Sequence, residues 1–166
     1  LVPHGHMLAS VGGVFNAVAV SGDVAGDTLY YGCGAGRSAT SSAVLSDVAD
    51  VARSLAAGAR CHVPLLAQGG NPPAIRAIGE IQSRSYLRLS LMDRPGVLAL
   101  VAQVLGRHDI SIASVMQKEA RSGEHVPVIV VTHGGLEKQF QAAIGEIDKL
   151  DVVGAPTVRL RIEDFV

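Results

Sequence analysis

The sequence predicts an α+β protein whose second half, residues 85–166, has the ferredoxin-like βαββαβ order. Apolar and polar residues alternate over 86–91, as in a strand with one buried face. Two later segments, 97–107 and 136–150, carry their apolar residues at helical spacing. The remaining strand patterns cover residues 110–119, 126–132 and 157–162. Four strands and two helices in this order predict an antiparallel sheet with both helices on one face.

A β-hairpin and a helix precede this unit. Strand patterns over 15–20 and 28–31 flank a Gly- and Asp-rich turn, which predicts an antiparallel pair. A helix follows over 40–53, with hydroxyl residues at its start as candidate N-caps, namely Ser38, Thr40, Ser41 and Ser42. Val44, Val48 and Val51 share one face of this helix. The short segment offers nothing to cover that face, so we expect these elements to belong to an incomplete domain.

A linker is predicted between the two parts. Residues 56–84 have no clear period and contain the Gly-Gly-Asn-Pro-Pro run at 69–73. A stretch of this length fits poorly inside one compact domain. The predicted organisation is therefore a first segment over 1–55, a linker over 56–84 and a complete unit over 85–166.

Composition excludes several classes of protein. Of the 166 residues 48% are hydrophobic, and 14 basic side chains balance 15 acidic ones, for a net charge of -1. Disorder and a basic nucleic-acid-binding surface are both excluded. The uncharged stretch over 1–22 contains Pro and Gly and suits no membrane helix. Cys33 and Cys61 form no metal or disulfide pattern, so we expect reduced thiols and a cytoplasmic protein without a metal site.

Only one of the two faces of the predicted sheet is expected to be covered by the helices. Val126, Val128 and Val130 point one way and Ile129 and Val131 the other, so both faces are apolar. On the last strand we expect the apolar residues to point inward and the arginines outward, that is, Val158, Leu160 and Ile162 against Arg159 and Arg161. Because two helices cover one face only, the other face should pack on a second copy or on another part of the protein.

Two turns are candidate sites. The cluster Gly32–Gly36 lacks the third glycine of the dinucleotide fingerprint, since Arg37 stands there, and suits close approach of backbone to a ligand held by another domain. The turn Asp93-Arg94-Pro95-Gly96 joins a strand to a helix and suits a zwitterion, whose carboxylate meets free amides while Asp93 takes the ammonium. Alternatively, Asp93 only caps the helix. No complete set of catalytic residues is found.

Two resemblances extend this interpretation. Residues 87–98, with the Asp93–Gly96 turn, and residues 110–117 closely resemble an ACT domain, the amino-acid-sensing module of biosynthetic enzymes. Upstream, residues 6–18 and 31–47 resemble the last part of the homoserine dehydrogenase catalytic region. The order matches bacterial homoserine dehydrogenases with a C-terminal ACT domain, so the chain resembles the C-terminal part of a longer enzyme.

The resemblance implies NAD(P)-dependent interconversion of homoserine and aspartate semialdehyde, a step toward threonine and methionine. The Rossmann domain and the catalytic lysine and aspartate would lie upstream, so the chain alone should be inactive and bind no cofactor. Gly34, Ala35 and Gly36 would reach the NADP or NAD of the parent enzyme. The valine face of the helix near 40–53 would pack on the nucleotide domain.

For the ACT unit the resemblance implies an end-product effector, threonine, bound where two such domains meet. Its expected lining comprises Asp93, Arg94, Pro95, Gly96, Val97, Ser111 and Ile112. Ser111 stands where related modules often have Asn. A homodimer or higher homo-oligomer through the ACT sheet is expected, without nucleic-acid or membrane partners. The alternative is a non-catalytic module for amino-acid binding and dimerisation.

Overall fold

The computed structural model describes residues 1–58, 74–117 and 125–165, and the chain divides into two compact units. One comprises Pro3–Ala74, and the other Ile75–Val166 together with Leu1–Val2. Most of the predicted linker, including Cys61 and the 69–73 run, falls outside the described residues. So do residues 121–124 of the hairpin loop that the sequence predicts over 121–125, whereas His125 already belongs to a strand.

The first unit consists of a hairpin and a helix. Strands β1 (Phe15–Gly22) and β2 (Gly26–Cys33) pair antiparallel, with Phe15 opposite Cys33. Helix α1 spans Arg37–Ala56, and none of its residues is buried. The expectation that Ser38, Thr40, Ser41 or Ser42 caps this helix is wrong. Gly36 is the N-cap, because the glycine loop turns directly into the helix and leaves the hydroxyls inside it.

The second unit has the predicted βαββαβ order. Its elements are β3 (Gln82–Met92), α2 (Val97–Arg107), β4 (Ile112–Gln117), β5 (His125–Thr132), β6 (Gly135–Leu136), α3 (Glu137–Ile147) and β7 (Val153–Ile162). The long strands lie in the order β4-β5-β3-β7, all neighbours antiparallel. The two-residue strand β6 was not predicted. It pairs with Gln82 and Ser83, so β3 begins within the predicted linker range.

The core lies between the sheet and the two helices. Leu87, Leu89 and Leu91 of β3 are at most 2% exposed, and Val126, Val128 and Val130 of β5 equally so. Both alternations are as predicted. The helices contribute buried side chains to the same cluster, namely Val97, Val101, Val104, Leu105, Phe140, Ala143 and Ile147. The cluster is a single core of the size that a domain of about 90 residues can bury.

The predicted faces of β7 are inverted. Arg159 pairs with Leu87 and Arg161 with Ser85, both of which face the helices, whereas Val158 and Leu160 are 39% and 44% exposed. The reason is a counter-charge at the start of α3. Glu137 is 3% exposed and accepts hydrogen bonds from both arginines. A charge pair with hydrogen bonds can occupy a covered face that apolar residues were expected to take.

The opposite side of the sheet is uncovered within this unit, and we call it the open face. It consists of Tyr86, Met116, Ile129, Val131, Val158, Leu160 and Ile162, with Arg88 at the centre of β3. Met116 is 56% exposed, and Arg88 is exposed. The open face is apolar over parts of all four long strands, as the sequence predicts for the face without helices.

Candidate functional site

The turn between β3 and α2 is held by backbone hydrogen bonds. Arg94 donates to the carbonyl of Met92 (3.0 Å), and Val97 donates to that of Arg94 (3.3 Å). Gly96, the N-cap of α2, has φ 88°, in the left-handed region that favours glycine. No side chain caps this helix. The amides of Gly96, Leu98 and Ala99 donate to no carbonyl among the described residues, so they are available to an anion.

Asp93 does not cap α2. Its Oδ1 accepts a hydrogen bond from Nε2 of Gln117, at 3.3 Å, across the mouth of the turn. Gln117 is the last residue of β4, and the register of β4 and β3 on β5 brings it to this end of the sheet. Sequence reasoning missed Gln117 because its position depends on strand order. The βαββαβ pattern, extended to its usual strand order, could have suggested it.

A small cavity lies beneath this turn. Its lining is Leu91, Met92, Asp93, Arg94, Val97, Leu98, Gln117, Val126 and Val128. Leu91, Val126 and Val128 are 2% exposed, so the floor is core, while the polar groups of Asp93, Arg94 and Gln117 surround the mouth. An apolar floor with a few convergent polar groups is typical of a small-molecule site.

The other two predicted effector residues lie elsewhere. Ser111 and Ile112 are at the beginning of β4, where His133 donates to the carbonyl of Ser111 (2.8 Å). Gln117 is at the opposite end of the same strand, about 16 Å away at the usual rise of about 3.3 Å per residue. Of the predicted set, Asp93, Arg94 and Val97 line the cavity and Pro95 and Gly96 complete its turn. Ser111 and Ile112 are not brought to it within one chain.

Two backbone amides of the loop Gly32–Gly36 in the first unit already have hydrogen-bond acceptors within the chain. The amides of Gly34 and Ala35 both donate to the carbonyl of Val14, at 2.9 and 3.2 Å. Gly36 has φ 120°, and no side chain caps α1 after it. The amides of the first three residues of α1 donate to no carbonyl among the described residues, whereas Thr40 donates to that of Gly36 (3.0 Å). The loop therefore offers amides at Gly36 and in the first turn of α1, and only close backbone approach at Gly34 and Ala35.

Asn16 of β1 lies directly against this loop. A Cβ atom built on Gly34 would lie 1.5 Å from Nδ2 of Asn16 and 2.3 Å from its Cγ. A side chain at position 34 would have to displace this carboxamide, because real Cβ contacts are essentially never under 3.0 Å. The Asn16 carboxamide thus occupies the space that a side chain at position 34 would take. The sequence pattern marked the glycine but not the asparagine that requires it.

Neither a metal-ion cluster nor a membrane-spanning helix is found among the described residues. Residues 1–58, 74–117 and 125–165 contain no group of three His, Cys, Asp or Glu placed to hold a metal ion. In the same part of the chain, no helix is long and apolar enough to cross a membrane.

The fold and the turn together define an ACT domain. Residues 85–152 match the family model described as ACT domain. Residues 1–49 match the model described as homoserine dehydrogenase. The chain therefore corresponds to the C-terminal region of homoserine dehydrogenases and includes their ACT domain.

Individual relatives give the same result. The homoserine dehydrogenase of Pseudomonas aeruginosa is 42% identical over 99% of this chain, and that of Neisseria gonorrhoeae 39% over 99%. The crystal structure of a homoserine dehydrogenase from Thiobacillus denitrificans superposes with a TM-score of 0.74 at 41% identity, over 98% of this chain. The chain spans 39% of the length of the first two relatives and 37% of the third.

Proposed function

We propose that this chain is the regulatory C-terminal portion of an NAD(P)-dependent homoserine dehydrogenase, in the cytoplasm. Homoserine and aspartate semialdehyde are the substrates of the complete enzyme, on the way to threonine and methionine. The match of residues 1–49 to the dehydrogenase family supports this assignment. A bound NAD(P) would supply hydride acceptance for the carbinol carbon of homoserine, and the hydroxyl proton would pass to a base expected in the upstream part of the enzyme.

The first unit would contribute backbone contacts to the cofactor and an apolar helix face to the interior of the enzyme. Gly36 and the first turn of α1 have amides to offer, and Gly34 and Ala35 allow backbone to approach. This fits contact with a dinucleotide held mainly by an upstream domain, and it does not amount to a complete binding site. The exposed valine face of α1 fits packing on that same domain, because Val44, Val48 and Val51 are 55–60% exposed.

The ACT unit would bind an end-product amino acid, with threonine as the effector. One observation carries this proposal: Asp93 is turned away from capping α2 and is held by Gln117 at the mouth of the cavity. An α-ammonium would meet Asp93, and an α-carboxylate would meet the amides of Gly96, Leu98 and Ala99. The cavity floor of Leu91, Val126 and Val128 suits a short, uncharged side chain.

A second copy would complete the effector site. β4 is an edge strand, and its two ends carry the two halves of the expected lining. If the β4 edges of two copies pair antiparallel, the beginning of one β4 lies beside the end of the other. Ser111 and Ile112 of one copy would then approach Asp93 and Gln117 of its partner. This arrangement accounts for a lining that one chain divides between two ends of a strand.

The open face supports oligomerisation as well. We propose that it packs on a second copy in the assembled protein, since exposed apolar area of this extent commonly marks an interface. Leu160→Lys should lower the sedimentation coefficient at micromolar concentration, because a charge would have to be buried. Val24→Lys, at a hairpin position that is 93% exposed, is the control. An unchanged coefficient for Leu160→Lys would refute the role of this face.

Thermal unfolding with added amino acids tests the effector. At a hundredfold excess over its dissociation constant, threonine should stabilise the chain by about 2.7 kcal/mol. Asp93→Ala should abolish the rise in melting temperature without loss of fold, whereas Asp151→Ala, in the exposed turn after α3, should retain it. If threonine, isoleucine, methionine and lysine all leave the wild-type melting temperature unchanged at millimolar concentration, the sensor function is wrong.

The alternative function is a non-catalytic module for amino-acid binding and dimerisation. The exposed β4 edge and the open face favour it, since both serve assembly without chemistry. The purified 166-residue chain should not oxidise homoserine with NAD or NADP, and turnover would refute its assignment as a regulatory portion. The coding sequence upstream separates the two functions, because a preceding Rossmann unit belongs to the dehydrogenase only.

A further inference from the structure

Asn16 is an unusual residue for its position. It is the second residue of β1, paired with Gly32 near the open end of the hairpin, and asparagine is depleted in strands. Its carboxamide is laid over Gly34, where a Cβ would meet Nδ2 at 1.5 Å. The side chain therefore lies beside the loop that turns into α1. The position is therefore maintained by two residues together, an asparagine and the glycine that makes room for it.

The polar atoms of Asn16 are available to a ligand. The residue is exposed, and no hydrogen bond joins its carboxamide to any described residue. The side chain offers two donors and one acceptor. The amides of Gly36 and of the first turn of α1 follow Gly34 directly in the chain and have no carbonyl partner among the described residues. Together they form a small polar surface at one end of the hairpin.

We infer that Asn16 is a further binding residue for the nicotinamide dinucleotide, seated for that purpose by Gly34. The inference rests on the proposed function. A Rossmann domain binds the pyrophosphate at its own glycine turn. The nicotinamide end, with its ribose hydroxyls and its own carboxamide, is then the part that a segment of another domain can meet. A side chain that both donates and accepts suits these groups better than it suits a phosphate, which only accepts.

Equilibrium binding to the complete enzyme tests the contact. Isothermal titration of NADP should give a dissociation constant about tenfold higher for Asn16→Ala than for the wild type, the usual effect of losing one or two hydrogen bonds. Asn16→Asp keeps the size but loses both donors and should weaken binding at least as much. Thr28→Ala, at the other end of the same hairpin, is the matched control and should bind normally. Melting temperatures of all variants should agree within about two degrees.

A double substitution tests whether Gly34 positions the Asn16 side chain. The methyl group of Gly34→Ala would displace the Asn16 carboxamide, so this variant should lose affinity for NADP as Asn16→Ala does. The double variant Asn16→Ala with Gly34→Ala should then be no weaker than either single variant, because both remove the same contact. Additive losses of NADP affinity would show that Gly34 does not act by positioning Asn16. An unchanged dissociation constant for Asn16→Ala would overturn the binding role of Asn16. Absence of dinucleotide binding by the wild-type enzyme would instead overturn the proposed function, and this inference with it.

Discussion

Both carboxylate oxygens of Glu137 accept hydrogen bonds from Arg159, whose Nη1 and Nη2 donate at 2.8 and 3.0 Å. Arg161 adds a third charged hydrogen bond through Nε (2.8 Å), and Gln141 a fourth (3.1 Å). The Arg159 guanidinium also lies 4.3 Å from the ring centroid of Phe140, a cation–π contact at the edge of the core. These contacts fasten the start of α3 to the end of β7.

Loss of the Glu137 charge should destabilise the ACT unit strongly. Glu137→Gln leaves Arg159, whose side chain is 12% exposed, without its counter-charge, and breaking a buried pair costs roughly 3 kcal/mol. Urea unfolding measures this loss as a lower midpoint. Glu146→Gln is the control, because Glu146 pairs with Arg107 and His108 at an exposed site and should lose at most about 1 kcal/mol. Equal losses for the two variants would contradict the buried-pair account.

The same carboxylate should resist acid. Hydrogen bonds from Arg161 and then Arg159 lower the pKa of Glu137 from 4.5 to about 2, against an opposing effect of burial. A lowered pKa in the folded state means that the stabilisation is complete above the unfolded value and is lost as pH falls through about 2. The difference in unfolding free energy between wild type and Glu137→Gln should therefore be constant from pH 8 to 5 and should shrink between about pH 4.5 and 2. A difference that disappears already at pH 5 would be inconsistent with this.

Two glycines of the α2 region should respond in opposite directions to the same substitution. Gly96→Ala forces a side chain into φ 88° and should cost about 1 kcal/mol. Gly106 is inside α2, and a Cβ there would meet nothing within 4 Å. Gly106→Ala should therefore stabilise by up to about 1 kcal/mol through helix propensity and a less flexible unfolded chain. Chemical denaturation of the two variants side by side gives the comparison, and a shift of the same sign in both would be evidence against it.

Gln117 should matter for the effector and little for stability. Gln117→Leu removes the hydrogen bond that orients Asp93, an exposed contact worth about 1 kcal/mol, or about fivefold in affinity for threonine. Its melting temperature without ligand should stay close to that of the wild type. Gln103→Leu, on a helix position away from the cavity lining, is the matched control and should bind threonine normally. Threonine titration of the three proteins decides the matter, and equal affinities would refute the role of Gln117.

Local patterns in the sequence were sufficient for most of the fold. The alternation of Leu87, Leu89 and Leu91 fixed the buried face of β3, and the spacing of the apolar residues in α2 and α3 fixed theirs. The alternation on β7 correctly predicted which residues share a face. It wrongly predicted which face is turned toward the helices. Apolar residues take the covered face by default, and the buried partner of Arg159 stands 22 positions earlier in the sequence. No local pattern contains that partner.

The candidate sites show the same limit. The turn at Asp93–Gly96 and the loop at Gly34–Gly36 were predicted, since proline, glycine and a helix start leave a local pattern. Gln117 and Asn16 were not, because each meets its loop only through strand pairing. The separation of Ser111 from Asp93 follows from the same pairing, because β4 and β3 run in the same direction on the two sides of β5 and Asp93 follows the end of β3.

The place of β3 has a mechanical consequence. This strand is the first long element after the preceding segment of chain, and it is also the central strand, held by β5 on one side and β7 on the other. The amide of Glu137 in addition donates to the carbonyl of Ile81, just before β3 begins (2.8 Å). Tension arriving along the chain would therefore load two antiparallel ladders in shear together, rather than peel one edge strand bond by bond. A pull from the chain before the ACT unit would thus be shared by both neighbours of β3.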